Sequence, residues 1–138
     1  MTEIDTITVF TDGGARGNPG PAAIGGVIMR GSEPVEEFST YVGEKTNNQA
    51  EYMALLAGLE RAAMHTDVDV EAVLDSELVV KQLNGEYRVK SPELKKLVQQ
   101  VRHQEQRFRN VTYRHTRREG NVRADALVNQ ALDAEALN

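Results

Sequence analysis

The chain has no cysteine and no tryptophan, and aromatic residues make up only 5 % of it. Without thiols, disulfides and thiolate metal sites are both excluded. So few aromatics argue against a stacking platform for single-stranded nucleic acid. Long apolar runs are missing too. The best, Ala22 to Met29, falls far short of the ~20 residues that cross a bilayer, so no membrane association is expected. The first residues are polar and acidic and do not fit a secretory signal, which makes a cytoplasmic protein the expectation.

What is present fits one domain spanning residues 1–138, with 40 % hydrophobic residues to build its core. Net charge is −5, but it is unevenly spread. Arg88 to Arg123 holds eleven Lys/Arg against three Asp/Glu, whereas the remainder holds five against eighteen. A basic surface beside an acidic site suits a phosphate backbone. A solvated charged helix is the bland alternative.

Apolar alternation through Ile7, Val9 and Thr11 predicts a strand over 4–12, and Gly13 to Pro21 reads as a loop. Ala22–Arg30 and Val35–Val42 are two further strands joined by a short turn, so the first three form an antiparallel meander. Thr46-Asn-Asn-Gln49 is a capping box that opens a helix over 47–65. Val70–Leu74 is a short buried strand, and Ser76 caps a short helix ending near Asn84-Gly85. Ser91-Pro92-Glu93 starts a helix to Arg107, Val111–His115 is a fifth strand, and Asn121 caps a last helix to Leu132. This order, β-β-β-α-β-α-α-β-α, needs crossover helices. It describes an α/β fold with a mixed sheet covered on its faces.

Four acidic residues stand at junctions of these elements. Asp12 ends the first strand, Glu51 lies near the start of a helix, Asp75 ends another strand, and Asp125 lies one turn into the last helix. Each has a bland reading except the first. Glu51 and Asp125 suit a helix dipole, and Asp75 suits an N-cap. Asp12 runs from a strand into a glycine loop, where a carboxylate has no capping role. Ligands of open α/β sheets bind beyond the carboxyl ends of parallel strands, where Asp12 and Asp75 both lie. Carboxylates brought together there need a counter-charge, and a divalent metal is the usual one for oxygen-only ligands.

The glycine loop lacks a Gly-Lys-Ser/Thr ending and a GxGxxG pattern, and a strand follows it, so a nucleotide-binding loop is excluded. His65 and His103 lie on polar helix stretches and are expected to be solvated. His115 ends the last strand ten residues before Asp125, where a loop histidine can carry protons.

Thr11-Asp12-Gly13-Gly14-Ala15-Arg16-Gly17-Asn18-Pro19-Gly20, Thr46-Asn47-Asn48-Gln49-Ala50-Glu51, Asp75-Ser76 and Asn121-x-x-Ala124-Asp125 follow one another in this order. Together they resemble the type 1 ribonuclease H family over nearly the whole chain. The resemblance implies a ribonuclease H-like fold, an α/β five-stranded mixed sheet of order 3-2-1-4-5 with helices on both faces. It implies an endonuclease that hydrolyses the RNA strand of RNA–DNA hybrids and leaves 5′-phosphate and 3′-hydroxyl ends. Asp12, Glu51, Asp75 and Asp125 would hold two Mg²⁺ ions, with Mn²⁺ as a substitute. Asp12 would bridge the two, with Glu51 and Asp75 on the first and Asp125 on the second.

Substrate contacts are implied at Gly13, Asn18, Thr46, Asn47, Asn48, Gln49 and Asn121. Thr46 would stand near a DNA phosphate, and Asn18 and Gln49 would face the RNA. His115 takes the place of the family's loop histidine, with Arg117 or Arg118 as the alternative. Better-known members carry an extra basic helix with tryptophans, and some carry an N-terminal hybrid-binding domain. Neither is expected here, and Lys90, Lys95, Lys96 and Arg102 are the candidates to substitute in part. A monomer with no obligatory protein partner is expected. The rival readings are a related nuclease acting on double-stranded RNA or single strands, and an inactive hybrid-binding module.

Overall fold

The computed structural model describes residues 6–137. Strands β1 (Ile7–Ala15), β2 (Gly20–Arg30) and β3 (Glu33–Lys45) are followed by α1 (Asn47–Ala62), β4 (Asp69–Leu74), α2 (Glu77–Leu83), α3 (Pro92–Glu105), β5 (Asn110–His115) and α4 (Val122–Ala136). The sheet order is β3-β2-β1-β4-β5. β1–β2 and β2–β3 pair antiparallel, while β1–β4 and β4–β5 pair parallel. The expected fold class, strand order and element sequence all hold.

Helices cover both faces of the sheet, because apolar residues alternate along its central strand. Val9 and Thr11 of β1 point at α1, where Gly58 sits against both. Phe10 points the other way, into a hollow it shares with Val122 and Ala124 of α4. The larger core joins Ile7, Val9, Tyr52, Leu55, Leu59, Val79 and Val101 from the sheet and α1–α3. A smaller one joins Ala23 of β2 to Val128 and Leu132 of α4.

The loop expected at 13–21 is much shorter. Antiparallel pairing continues through Gly13, Gly14 and Ala15 opposite Ile24, Ala23 and Ala22, so β1 reaches three residues further and β2 starts at Gly20. Residues 4 and 5 of the expected first strand lie outside the described residues. The first helix ends at Ala62 rather than 65, and the last runs to Ala136 rather than 132.

The Thr46 capping box is formed in full: Gln49 N donates to Thr46 Oγ1, and Thr46 N donates to Gln49 Oε1. Ser76 and Ser91 cap α2 and α3 as expected. Asn121 does not cap α4 with its side chain; the amide donates instead to the Thr11 carbonyl of β1 at 2.8 Å. His65 is only partly exposed and has a partner, its Nε2 lying 3.0 Å from Glu36 Oε1. Among the described residues no helix is long and apolar enough to cross a membrane.

Candidate active site

Strand register brings the first two carboxylates together. Thr11 of β1 pairs with Leu74 of the parallel β4, so Asp12, still within β1, and Asp75, just past the end of β4, stand at the same level. Leu74 in turn pairs with His115 of β5. Asp12 and Asp75 therefore lie side by side, and His115 lies one residue back in register, at the end of β5.

Glu51 arrives from above through α1. Its Oε1 accepts a 2.7 Å hydrogen bond from the amide of Gly13, the residue after Asp12. Such an approach needs glycine, because a Cβ at position 13 would overlap the Ala50 carbonyl of α1. Asp125 arrives from the opposite face. Gly25 of β2 pairs with Asp12, and a Cβ there would strike Ala124 and Leu127 of α4. The bare glycine lets α4 lie close against the sheet beside Asp12.

The result is a cleft lined by Asp12–Arg16 of β1 and its end, Asn47, Asn48 and Glu51 of α1, and Asp75 and Ser76 after β4. Residues 115–119 form its β5 side, and Asp125, Val128, Asn129 and Leu132 of α4 form another wall. One carboxylate oxygen each from Asp12, Glu51 and Asp75 lies within 4.8 Å of the others. Asp125 lies outside that triad but faces the same cleft, near enough for its charge and a hydrogen bond to bear on Asp12.

Asp12 is 8 % exposed and Glu51 7 %. Burial pushes the Asp12 carboxyl up to about 7, with the Asp75 and Asp125 charges adding to the rise and a hydrogen bond from Glu51 opposing it. Burial also raises Glu51 well above the ordinary carboxylate range, reinforced by the neighbouring Asp12. Neighbouring acid charges thus strengthen the hold of each on its proton. Asp75 is raised by burial as well, while the Asn121 amide and the Arg118 charge pull it back. Burial of acids at this density is costly without a cation, and hard divalent ions match an all-carboxylate donor set. The residues present fit such an ion.

The substrate residues implied by resemblance divide into two groups. Gly13, Asn47 and Asn48 line the cleft. Asn18 stands behind Asn47, and its Oδ1 accepts from the Asn47 amide at 3.0 Å. Thr46 and Gln49 are occupied with each other in the capping box, and Gln49 borders a second hollow between α1 and α3. Asn121, 2 % exposed, lies beneath the cleft, tied to β1. His115 and Arg118 are exposed on its β5 side. Polar residues beyond the expected candidates also line the cleft, among them Arg16 and Asn129, and Arg16 reaches Asp133 beside it. Asn129 and Asp133 follow Asp125 at four-residue steps, so the helical period is the available clue in the sequence.

A family model described as "Reverse transcriptase-like" matches residues 10–131. Ribonuclease H of Pseudomonas fluorescens is 35 % identical over 148 residues, which cover 94 % of this chain and 93 % of that protein. The chain belongs to the ribonuclease H family. Ribonuclease HI of Halobacterium salinarum is 44 % identical over 128 residues, covering 92 % of this chain and 64 % of that protein. The crystal structure of LC11-RNase H1 in complex with RNA/DNA hybrid superposes with a TM-score of 0.90 at 46 % identity, covering 96 % of this chain and 99 % of that one. The chain spans only 36 % of the length of the mycobacterial relatives it matches. The expected membership of the ribonuclease H family, in its type 1 form, is thus borne out.

Proposed function

We propose that this ribonuclease H domain is an endonuclease that hydrolyses the RNA strand of RNA–DNA hybrids. The observation that carries the reading is the meeting of Asp12, Glu51 and Asp75 oxygens within 4.8 Å where β4 ends beside β1, with Asp125 on the facing wall. The hybrid bound by the LC11 relative, at 46 % identity, supports the choice of substrate.

Asp12, Glu51, Asp75 and Asp125 would hold two Mg²⁺ ions, or Mn²⁺ in their place. When bound, the ions neutralise the carboxylates and supply Lewis-acid stabilisation to a phosphodiester undergoing in-line displacement. Asp12, central to the cluster, would be the carboxylate shared between the two ions. Its backbone is held on both sides: the Asn121 amide donates to the Thr11 carbonyl, and the Gly13 amide donates to Glu51.

Asn47 and Asn48 open onto the cleft from the start of α1, and Asn18 buttresses the Asn47 backbone. They are placed to read the groove of a duplex, where the 2′-hydroxyl distinguishes RNA from DNA. Thr46 and Gln49, locked in the capping box, hold that helix start in register, and Thr46 would stand near a phosphate of the DNA strand. Gln49, on the second hollow, meets the RNA only if its amide end reaches round. Asn121 acts by positioning Asp75 and β1. His115 is the proton carrier, with Arg118 competing for the role, and the products carry 5′-phosphate and 3′-hydroxyl ends. The protein works as a cytoplasmic monomer.

The test uses end-labelled RNA–DNA, RNA–RNA and DNA–DNA duplexes, each with Mg²⁺, Mn²⁺ or EDTA. Cleavage confined to the RNA strand of the hybrid, dependent on the metal, is the expected result. Cleavage of RNA–RNA at a comparable rate would move the function to a double-stranded ribonuclease. Metal-independent binding with no cleavage of any duplex would make the domain a hybrid-binding module.

A further inference from the structure

Arg16 occupies a position that the four carboxylates do not account for. Its backbone is pinned: the Arg16 amide donates to the Pro21 carbonyl at 2.8 Å, and the preceding Ala15 amide donates to Asn47 Oδ1 at 2.8 Å. Its side chain reaches across to the α4 wall of the cleft. There Arg16 Nη2 bonds Asp133 Oδ1 at 2.7 Å and approaches Asn129 Oδ1 at 3.4 Å. Asn129 in turn donates to the Asp125 backbone carbonyl at 3.2 Å, with Asp125 Oδ2 at 3.5 Å. Asp125, Asn129 and Asp133 form one polar stripe of α4. Among the described residues lining the β1 and α1 side of this cleft, Arg16 is the one cation. The remaining cations, Arg117 and Arg118, stand on the β5 side.

This pair is not built to last. The Arg16 and Asp133 side chains are 45 % and 68 % exposed. Water competes with such a bond and salt screens it, so it contributes little to the fold. A guanidinium held by a weak carboxylate contact, beside an acidic site for a polyanion, is poised to exchange one anion for another. A phosphodiester accepts the same fork of donors in charge-assisted hydrogen bonds.

We propose that Arg16 is a phosphate-binding arm, parked on Asp133 in the free protein and transferred to a backbone phosphate of the duplex when the cleft fills. The proposal rests on the nuclease reading above. Asp133 competes with the substrate for Arg16 and so weakens binding, and Asn129 keeps the guanidinium over Asp125 in either state. The cleft would then be gripped from two sides, by Arg16 on one and by the loop arginines on the other.

Steady-state cleavage of an RNA–DNA hybrid over a range of salt concentrations tests this with Arg16→Gln, Asp133→Asn and the double variant. Arg16→Gln should raise KM roughly five- to tenfold, with the loss in KM rather than kcat. It should also flatten the dependence of log KM on log salt by about 0.7–0.9, the weight of one phosphate contact. Asp133→Asn should lower KM roughly two- to threefold, because the arm is released. The double variant should behave as Arg16→Gln does. If Asp133→Asn raises KM alongside Arg16→Gln, the pair is only a tie between β1 and α4 and the proposal falls. It also falls if Arg16→Gln keeps the wild-type KM and salt slope while the wild type is active. A wild-type protein that leaves the hybrid uncut with either metal overturns the nuclease reading itself, and the arm with it.

Discussion

The Gly13 amide and the Glu51 carboxylate are joined by a 2.7 Å hydrogen bond between residues 38 apart in the chain. This bond is how α1 delivers an acid to the end of β1. It exists because β1 passes so near the Ala50 carbonyl that no side chain fits between. Gly13→Ala should therefore force strand and helix apart. Overpacking of this kind costs about 1–3 kcal/mol, and here it also separates Glu51 from Asp12. The expected outcome is a lowered Tm with loss of hybrid cleavage. A Gly13→Ala variant with the wild-type Tm would show that the backbones relax freely.

Asp12→Asn keeps the size of the side chain and removes the central charge. Hybrid cleavage should fall to near background while the circular dichroism spectrum stays that of the wild type. Retention of more than a small fraction of wild-type activity would remove Asp12 from the centre of the site.

The same residue sets a pH dependence in the metal-free protein. The Asp12 pKa lies at about 7 when folded, against an ordinary value of 3.8. An acid raised on folding binds more protons in the folded state, so the stability it confers is full below the unfolded value and is lost as pH rises through the folded one. In EDTA, Tm should be higher at pH 5 than at pH 8, by on the order of 1 kcal/mol or more in stability, and Asp12→Asn should flatten the profile. A metal-free Tm that climbs from pH 5 to pH 8 would contradict the burial of these acids.

Divalent ions reverse that trend. A metal must displace the protons held by Asp12 and Glu51, so binding should release protons and weaken below pH 7. Mg²⁺ or Mn²⁺ should raise Tm at pH 8, with the rise growing with ion concentration and shrinking at pH 5.5. Calorimetric titration in buffers of different ionisation enthalpy would count the protons released. A count of zero at neutral pH would mean that the ions bind elsewhere.

The parts of this site that can be read from the sequence are those set by local rules. Asp12, Glu51, Asp75 and Asp125 stand out because each falls near a junction of the elements read from the sequence, although β1 in fact continues past Asp12, and the Thr46 and Ser76 caps follow from short-range hydrogen bonding. The order β-α-β then forces parallel neighbours, which makes Asp12 and Asp75 adjacent. What stays hidden depends on distant partners. Gly13 and Gly14 resemble a loop, yet β2 pairs with them as a strand. Asn121 resembles a helix cap, yet its amide serves Thr11, 110 residues away. His65 resembles a solvated residue, yet it meets Glu36 on β3. The Arg16–Asp133 pair joins residues 117 apart, and nothing local signals it.

His115 pairs in register with Leu74, beside Asp75, and its side chain is exposed on the cleft. If it carries a proton, His115→Ala should lower kcat by roughly 10²-fold or less and leave KM nearly unchanged. The loss should be milder than for any of the four carboxylates. Arg118 also faces the cleft, and its charge lowers Asp75, so Arg118→Ala tests the alternative. An unchanged kcat in His115→Ala with a large loss in Arg118→Ala would transfer the role.

Grip on the duplex beyond the cleft falls to few residues. Arg102 is committed to Glu105 and to the Leu83 carbonyl, so it holds α3 against its neighbours rather than waiting for phosphate. Arg109, Arg114 and Arg123 are likewise paired, with Asp69, Glu71 and Glu37. Lys95 and Lys96, by contrast, are exposed on α3, and Lys96 borders the hollow shared with Lys45 at the end of β3. Replacing Lys95 and Lys96 by Gln together should raise KM and flatten the salt dependence by up to about 0.9 per lost phosphate contact, leaving kcat and strand choice alone. Strand choice should persist if, as proposed, Asn47 and Asn48 on the cleft make it. A double variant that matches the wild type at every salt concentration would place α3 on the side of the protein that the duplex never touches, and would leave Arg16 and the β5 loop as its whole basic grip.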